Sequence, residues 1–156
     1  MTDSRNFVGT TIGLAVVAIA HALLTWPLFA TATLFLGGAT LAFVAEAVVV
    51  ERGWLEHHVD PKLAGVPLYV LLGWPAAIYV ALRVALLWTE GVAAVATAAG
   101  VATAHDVLVD NRGVSEGYWT YSDDLPGPRH GAVPWWNYAG WLAISGATAG
   151  VVVYLH

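Results

Sequence analysis

An all-α bundle of about five membrane-spanning helices is the fold the sequence predicts, on three observations. Of the 156 residues, 58% are hydrophobic and only 11% charged, and the mean hydropathy is +0.68, outside the range of water-soluble domains. Apolar stretches of the ~20 residues needed to cross a bilayer recur five times. None of them alternates polar and apolar positions as a transmembrane strand would. So little polar surface cannot cover a soluble core of this size, which excludes a soluble enzyme. Eleven acids against six Lys and Arg, a net charge of −5, leave no basic stripe for nucleic acid. With no Cys there is neither disulfide nor thiolate chemistry.

The chain reads as one transmembrane domain, residues 1–156. Its first helix is expected from Val8 to Trp26. That run exceeds the apolar core of a secretory signal, and Asp3 offsets Arg5 in front of it, so it reads as an anchor. Trp26-Pro27 joins it in a tight antiparallel hairpin to the second, Leu28 to Val50. Glu90-Gly91 joins the third, Val66 to Trp88, to the fourth, Val92 to Asp110, in the same way. The fifth runs from Tyr138 to Leu155. The longer polar connections, 51–65 and 111–137, fall on the side of the N-terminal tail. Arg5, Arg52, Lys62, Arg112 and Arg129 share that side, against Arg83 near the other. The positive-inside rule then places the N-terminus and both loops in the cytoplasm of a multi-pass plasma-membrane protein. Gly9-Thr-Thr-Ile-Gly13 and Gly146-Ala-Thr-Ala-Gly150 have the spacing of close helix approach; packing within the chain is the expected use, rather than a dimer seam.

The second and fourth helices both run toward the loop side, so Glu46, Glu51, His105, Asp106 and Asp110 converge on one membrane face. Asp106 and Asp110, four residues apart, stack on one side of a helix. Two carboxylates so close cannot both ionise cheaply in a headgroup region, so one is expected to retain its proton. The bland alternative puts Asp110 in interfacial water and pairs Asp106 with Arg112 or a neighbouring helix. Glu46 is the most deeply placed acid, a functional candidate or a packing hydrogen bond. Glu51, about 140° further round the helix, belongs at the interface beside Arg52.

Six His invite a metal site, with His57-His58 and Asp60 in one loop and His105 at a helix end. No His-x-x-x-His pair exists, and di-iron hydroxylases need many more His, so no metal is expected. His21 and His156 fall on the opposite side as interfacial residues. Residues 118–141 hold Tyr118, Trp119, Tyr121, Trp135, Trp136, Tyr138 and Trp141. Part of this is an interfacial aromatic belt. The interleaved Gly117, Gly127, Pro128, Gly131 and Pro134 turn the loop repeatedly, which suits a re-entrant aromatic lid over the acids. Such rings can hold a flat conjugated ligand or face a carbocation.

The order of these elements is similar to that of a known family. Glu46 and Gly53 precede Gly65-Val66-Pro67-Leu68 and Trp74. The helix-end Asp106-x-x-x-Asp110 follows, then Glu116-Gly117-x-Trp119-x-Tyr121 and Gly131-x-Val133-Pro134-x-x-Asn137-Tyr138-x-Gly140-Trp141. Over roughly residues 40–145 this resembles the integral-membrane carotenoid biosynthesis family, which includes the bisanhydrobacterioruberin hydratase of haloarchaea and bacterial carotenoid 1,2-hydratases. The chain looks like a short, haloarchaeal-like member.

The resemblance implies a hydro-lyase that adds water across a terminal isopropylidene double bond of an acyclic carotenoid, giving a tertiary alcohol. It implies Asp106 or Asp110 as the acid and Glu46 or the paired carboxylate as acceptor of the water's proton. Trp74, Trp119, Tyr121, Trp135, Asn137 and Trp141 are the substrate-binding candidates, with Asn137 orienting the water. No cofactor is expected, there being no nucleotide-binding glycine pattern or haem motif. The partners implied are a lipophilic polyene and membrane lipid, with a homo-oligomer or other carotenoid enzymes as further options. A non-catalytic carotenoid-binding scaffold and a small proton-coupled transporter remain open. Transport would need acids reachable from both faces, and five helices without an inverted repeat are few for it.

Overall fold

The computed structural model describes residues 2–155; His156 and the side chain of Asp3 lie outside the described residues. Five helices form the bundle: α1 (Thr2–Thr25), α2 (Leu28–Glu51), α3 (Val70–Ala85), α4 (Gly91–Ser115) and α5 (Trp135–Leu155). All but α3 are long and apolar enough to cross a membrane by length and composition. Their outward faces carry Leu14, Leu24, Leu36 and Leu108 in the open, as a lipid-facing surface requires.

The third apolar run gives a shorter helix than the 66–88 expected. Val66–Pro67 form a strand, and the helix proper has 16 residues, ~24 Å against the ~30 Å of a hydrocarbon core. Its position explains the length. α3 packs against α1, α2 and α4 and buries Pro75, Ile78, Tyr79 and Leu82, so protein rather than lipid covers its central turns. Small residues let the helices close on it. A Cβ at Gly38 of α2 would sit 3.3 Å from both Pro75 Cβ and Thr148 Cγ2, the close approach that drives packing where lipid offers no hydrophobic gain. Gly146 and Gly150 face Ala99 and Val95 of α4, whereas Gly9 and Gly13 face no neighbour within 4 Å. α2 also contains one π-helical stretch, Thr33–Gly37.

α4 runs on to Ser115 instead of ending at Asp110, and α5 begins at Trp135 rather than Tyr138. Asp110 therefore lies within a helix. α2 and α4 end alike. Gly53 (φ 68) and Gly117 (φ 73) adopt the left-handed conformation. Trp54 N donates to Val49 O and Gly53 N to Val50 O, just as Tyr118 N donates to Gly113 O and Gly117 N to Val114 O. This paired closure satisfies the last carbonyls of each helix.

Both caps lead into strands, β1 (Leu55–His57) and β4 (Trp119–Tyr121), which pair antiparallel with Leu55 opposite Tyr121 and His57 opposite Trp119. Two hairpins complete the loops: β2 (Lys62–Leu63) with β3 (Val66–Pro67), and β5 (Arg129–His130) with β6 (Val133–Pro134). The two polar loops are thus joined into one cover at the acid-bearing end. Beneath it Phe7 of α1 stacks on Tyr118 at 4.8 Å and meets Tyr69 edge-on at 5.5 Å. At the far end His21 Nδ1 bonds Tyr79 Oη (2.6 Å) and Arg83 lies over Trp26.

Candidate functional site

Asp106 and Asp110 project from one face of α4 into the protein, 6% and 4% exposed. Asn137, in the first turn of α5, bridges them: its Nδ2 donates to Asp106 Oδ2 (2.9 Å) and to Asp110 Oδ2 (2.8 Å). Strand β4 supplies two more donors to Asp110, Trp119 Nε1 to Oδ1 (2.6 Å) and Tyr121 Oη to Oδ2 (2.7 Å). Burial and the neighbouring Asp110 carboxylate push the Tyr121 hydroxyl well above its ordinary value, so it donates throughout the neutral range. Arg112 does not pair with Asp106; it turns outward to Glu116 Oε1 (2.6 Å). Hydrogen bonds from Tyr118 and Arg112 hold that exposed carboxyl below the usual carboxylate range. Replacing Tyr121 by Phe is expected to cost about 1–2 kcal/mol, read as a lower thermal unfolding midpoint in detergent; an unchanged midpoint would mean this bond adds nothing to stability.

Glu46 reaches the same region from α2, 6% exposed. Its Oε2 bonds His57 Nε2 at 3.1 Å. Along β1 and just beyond, burial alternates: Leu55, His57 and Val59 point in, Glu56 and His58 out. This two-residue period separates the adjacent histidines, so His58 meets Thr120 Oγ1 at 3.1 Å instead. The tyrosine before α3 adds to this side. Burial, then the charges of Glu46 and Asp110, raise the Tyr69 hydroxyl above its ordinary value. Glu51 and His105 are exposed. Among the described residues no three His, Asp or Glu side chains converge closely enough to hold a metal ion.

The aromatic candidates divide. Trp74 of α3 and Trp141 of α5 lie together, ring centroids 4.3 Å apart, one helical turn beyond Asn137 toward the bundle interior. Trp135 is 58% exposed and does not join them. Two residues before Asn137 on the same helix, it points ~200° away. Trp136 takes the inward place, edge-on to Tyr121 at 5.7 Å and tilted on Trp54 at 5.7 Å. Trp119 sits directly over Gly113, where a Cβ would overlap its ring atoms Cζ2 and Cη2.

Because α3 separates α1 from α4, a groove of about 570 Å³ opens between those two helices, with Phe7 and Thr10 on one wall and Leu108, Gly113 and Tyr118 on the other. Its size is within the ~300–1,000 Å³ of small-molecule sites. Tyr118 and the Gly113–Trp119 contact form the partition between this groove and Asp110.

Sequence reading anticipated Glu46, Asp106, Asp110, Asn137, Trp119 and Tyr121, and the structure brings them together with Trp74 and Trp141 nearby. It missed His57 as a partner of Glu46, although the alternating Leu-Glu-His-His-Val run carried the signal. No curated protein and no solved structure matches the chain. The family model described as "Carotenoid biosynthesis protein" matches residues 6–156, nearly the whole chain and more than the stretch that carries the motifs. With carboxylates, aromatic rings and a lipid-facing bundle in one molecule, the chain belongs to this carotenoid biosynthesis protein family.

Proposed function

We propose that the protein hydrates a terminal isopropylidene double bond of an acyclic carotenoid, acting as a hydro-lyase without a redox step. The observation that carries this reading is the buried Asp106–Asp110 pair, bridged by Asn137 inside an apolar bundle. Protonating an unactivated alkene needs an acid held away from water, and these side chains meet that need. The count of donors divides the labour. Asp110 accepts three hydrogen bonds and serves as the carboxylate; Asp106 accepts one from Asn137 and carries the proton.

In this reading the polyene enters sideways from the lipid and lies against Trp74 and Trp141. Asp106 protonates the inner carbon of the terminal double bond. The positive charge forms on the tertiary carbon, faced by the rings of Trp119, Tyr121 and Trp136. Water adds there and loses its proton on the Glu46 side of the cluster. The loop end, with Arg5, Arg52, Lys62, Arg112 and Arg129, faces the cytoplasm by the positive-inside rule, and the host membrane is the plasma membrane.

Expressing the chain in a host that makes acyclic carotenoids tests the reaction. Chromatography and mass spectrometry are expected to show a new pigment heavier by one water. An unchanged profile from correctly inserted protein that co-purifies with pigment would replace hydration by carotenoid binding.

A further inference from the structure

Resting on the hydration reading, we infer that His57 is the general base that takes the proton from the attacking water, with Glu46 as its positioning residue. The imidazole is 5% exposed, and its two nitrogens are placed differently. Nε2 lies 3.1 Å from Glu46 Oε2. With Glu46 as a carboxylate, which can only accept, Nε2 carries the hydrogen and Nδ1 is left with its lone pair. Nδ1 is buried and bonds no group among the described residues. A buried acceptor without a partner is uncommon in a folded protein. Here it is a nitrogen kept free for a proton.

Three features place that nitrogen in the reaction zone. His57 lies against Trp119, ring centroids 6.2 Å apart, and the same indole donates to Asp110, so the imidazole and Asp110 share one ring as neighbour. The backbone is fixed as well: His57 is the ladder partner of Trp119, and Lys62 Nζ donates to His57 O at 2.7 Å. The Tyr69 hydroxyl, also buried without a partner among the described residues, belongs to this side of the cluster and can donate to the water oxygen. Glu46 has the role a carboxylate plays behind a catalytic imidazole, fixing the tautomer and stabilising the imidazolium once formed.

The balance closes. Asp106 gives its proton to the inner alkene carbon and becomes a carboxylate. The water oxygen bonds the tertiary cation as one O–H bond breaks, and that proton goes to His57 Nδ1. The product is the tertiary alcohol, and return of the proton from the imidazolium to Asp106 restores both groups.

Deuterium separates the two halves. The full-length protein is incubated in membranes in deuterium oxide with lycopene, an acyclic polyene with isopropylidene ends, and both product and recovered polyene are weighed by mass spectrometry. His57→Gln is expected to lower hydration by about 10²-fold or more while the recovered polyene gains deuterium, because Asp106 still delivers and retrieves a proton at carbon. Glu46→Gln is expected to act in the same direction and less. Wild-type hydration in His57→Gln would overturn the assignment. So would loss of exchange together with hydration in a correctly inserted His57→Gln protein, since the residue would then act before protonation. Absence of both processes in the wild type would sink the hydration reading itself, and the assignment with it.

Discussion

Asp106→Asn is expected to lower carotenoid hydration by about 10²–10⁴-fold, the usual contribution of a positioned general acid. The amide is close in size to the carboxyl and keeps an oxygen for the Asn137 bond, so the α4–α5 contact survives while the transferable proton does not. The ratio of hydrated to unhydrated pigment, normalised to protein in the membrane, reads the effect. Asp110→Asn is expected to act by another route. It leaves an amide NH₂ facing either the Trp119 donor or the Tyr121 and Asn137 donors, so inserted protein should decline together with activity. Hydration untouched by either substitution would remove the aspartates from the mechanism.

Gly113→Ala has the second largest expected effect, although Gly113 bonds nothing in the site. The added methyl would occupy the place of the Trp119 ring, and that ring has little freedom to leave. It is 7% exposed, tied to Asp110 by Nε1 and in contact with Phe7, His57 and Tyr118. Overpacking of this kind costs about 1–3 kcal/mol, and the displaced indole takes a donor from Asp110. Hydration is expected to fall nearly as far as in Asp106→Asn, with a lower unfolding midpoint in detergent. Adding Trp119→Phe should recover the midpoint without the activity, a non-additive pair. Full activity in Gly113→Ala would show that Trp119 can move without consequence for the acids.

The bundle and the convergence of acids were legible because a long apolar run is at home only in lipid, and a carboxylate within one is too costly to stand without partners. Helix ends were less so. α4 continues five residues past Asp110 through a polar stretch, because the Arg112–Glu116 pair and the Gly117 cap support it; hydropathy alone stops at the last apolar residue. The shortness of α3 depends on its being surrounded, which is a property of the assembly. His57 was hidden because its neighbour His58 suggested a metal pair. The strand that turns one in and the other out exists only when residues 119–121, more than sixty positions away, pair with it. Trp135 reads from the sequence as a loop residue and a substrate-binding candidate; as the first residue of α5 it faces outward, and Trp136 faces in.

The order of synthesis adds a constraint that the finished fold conceals. Every donor to the aspartate pair lies downstream of it: Trp119, Tyr121 and Asn137 all follow Asp110. The nascent α4 therefore enters the bilayer with both acidic side chains still lacking these donors, against an insertion cost of ~3 kcal/mol for a charged residue at a helix centre. The cluster is complete only when β4 has paired with β1 and α5 has brought in Asn137. Assembly of the aspartate cluster thus waits for α5, and a chain not yet made that far carries acids that these donors do not yet hold in place.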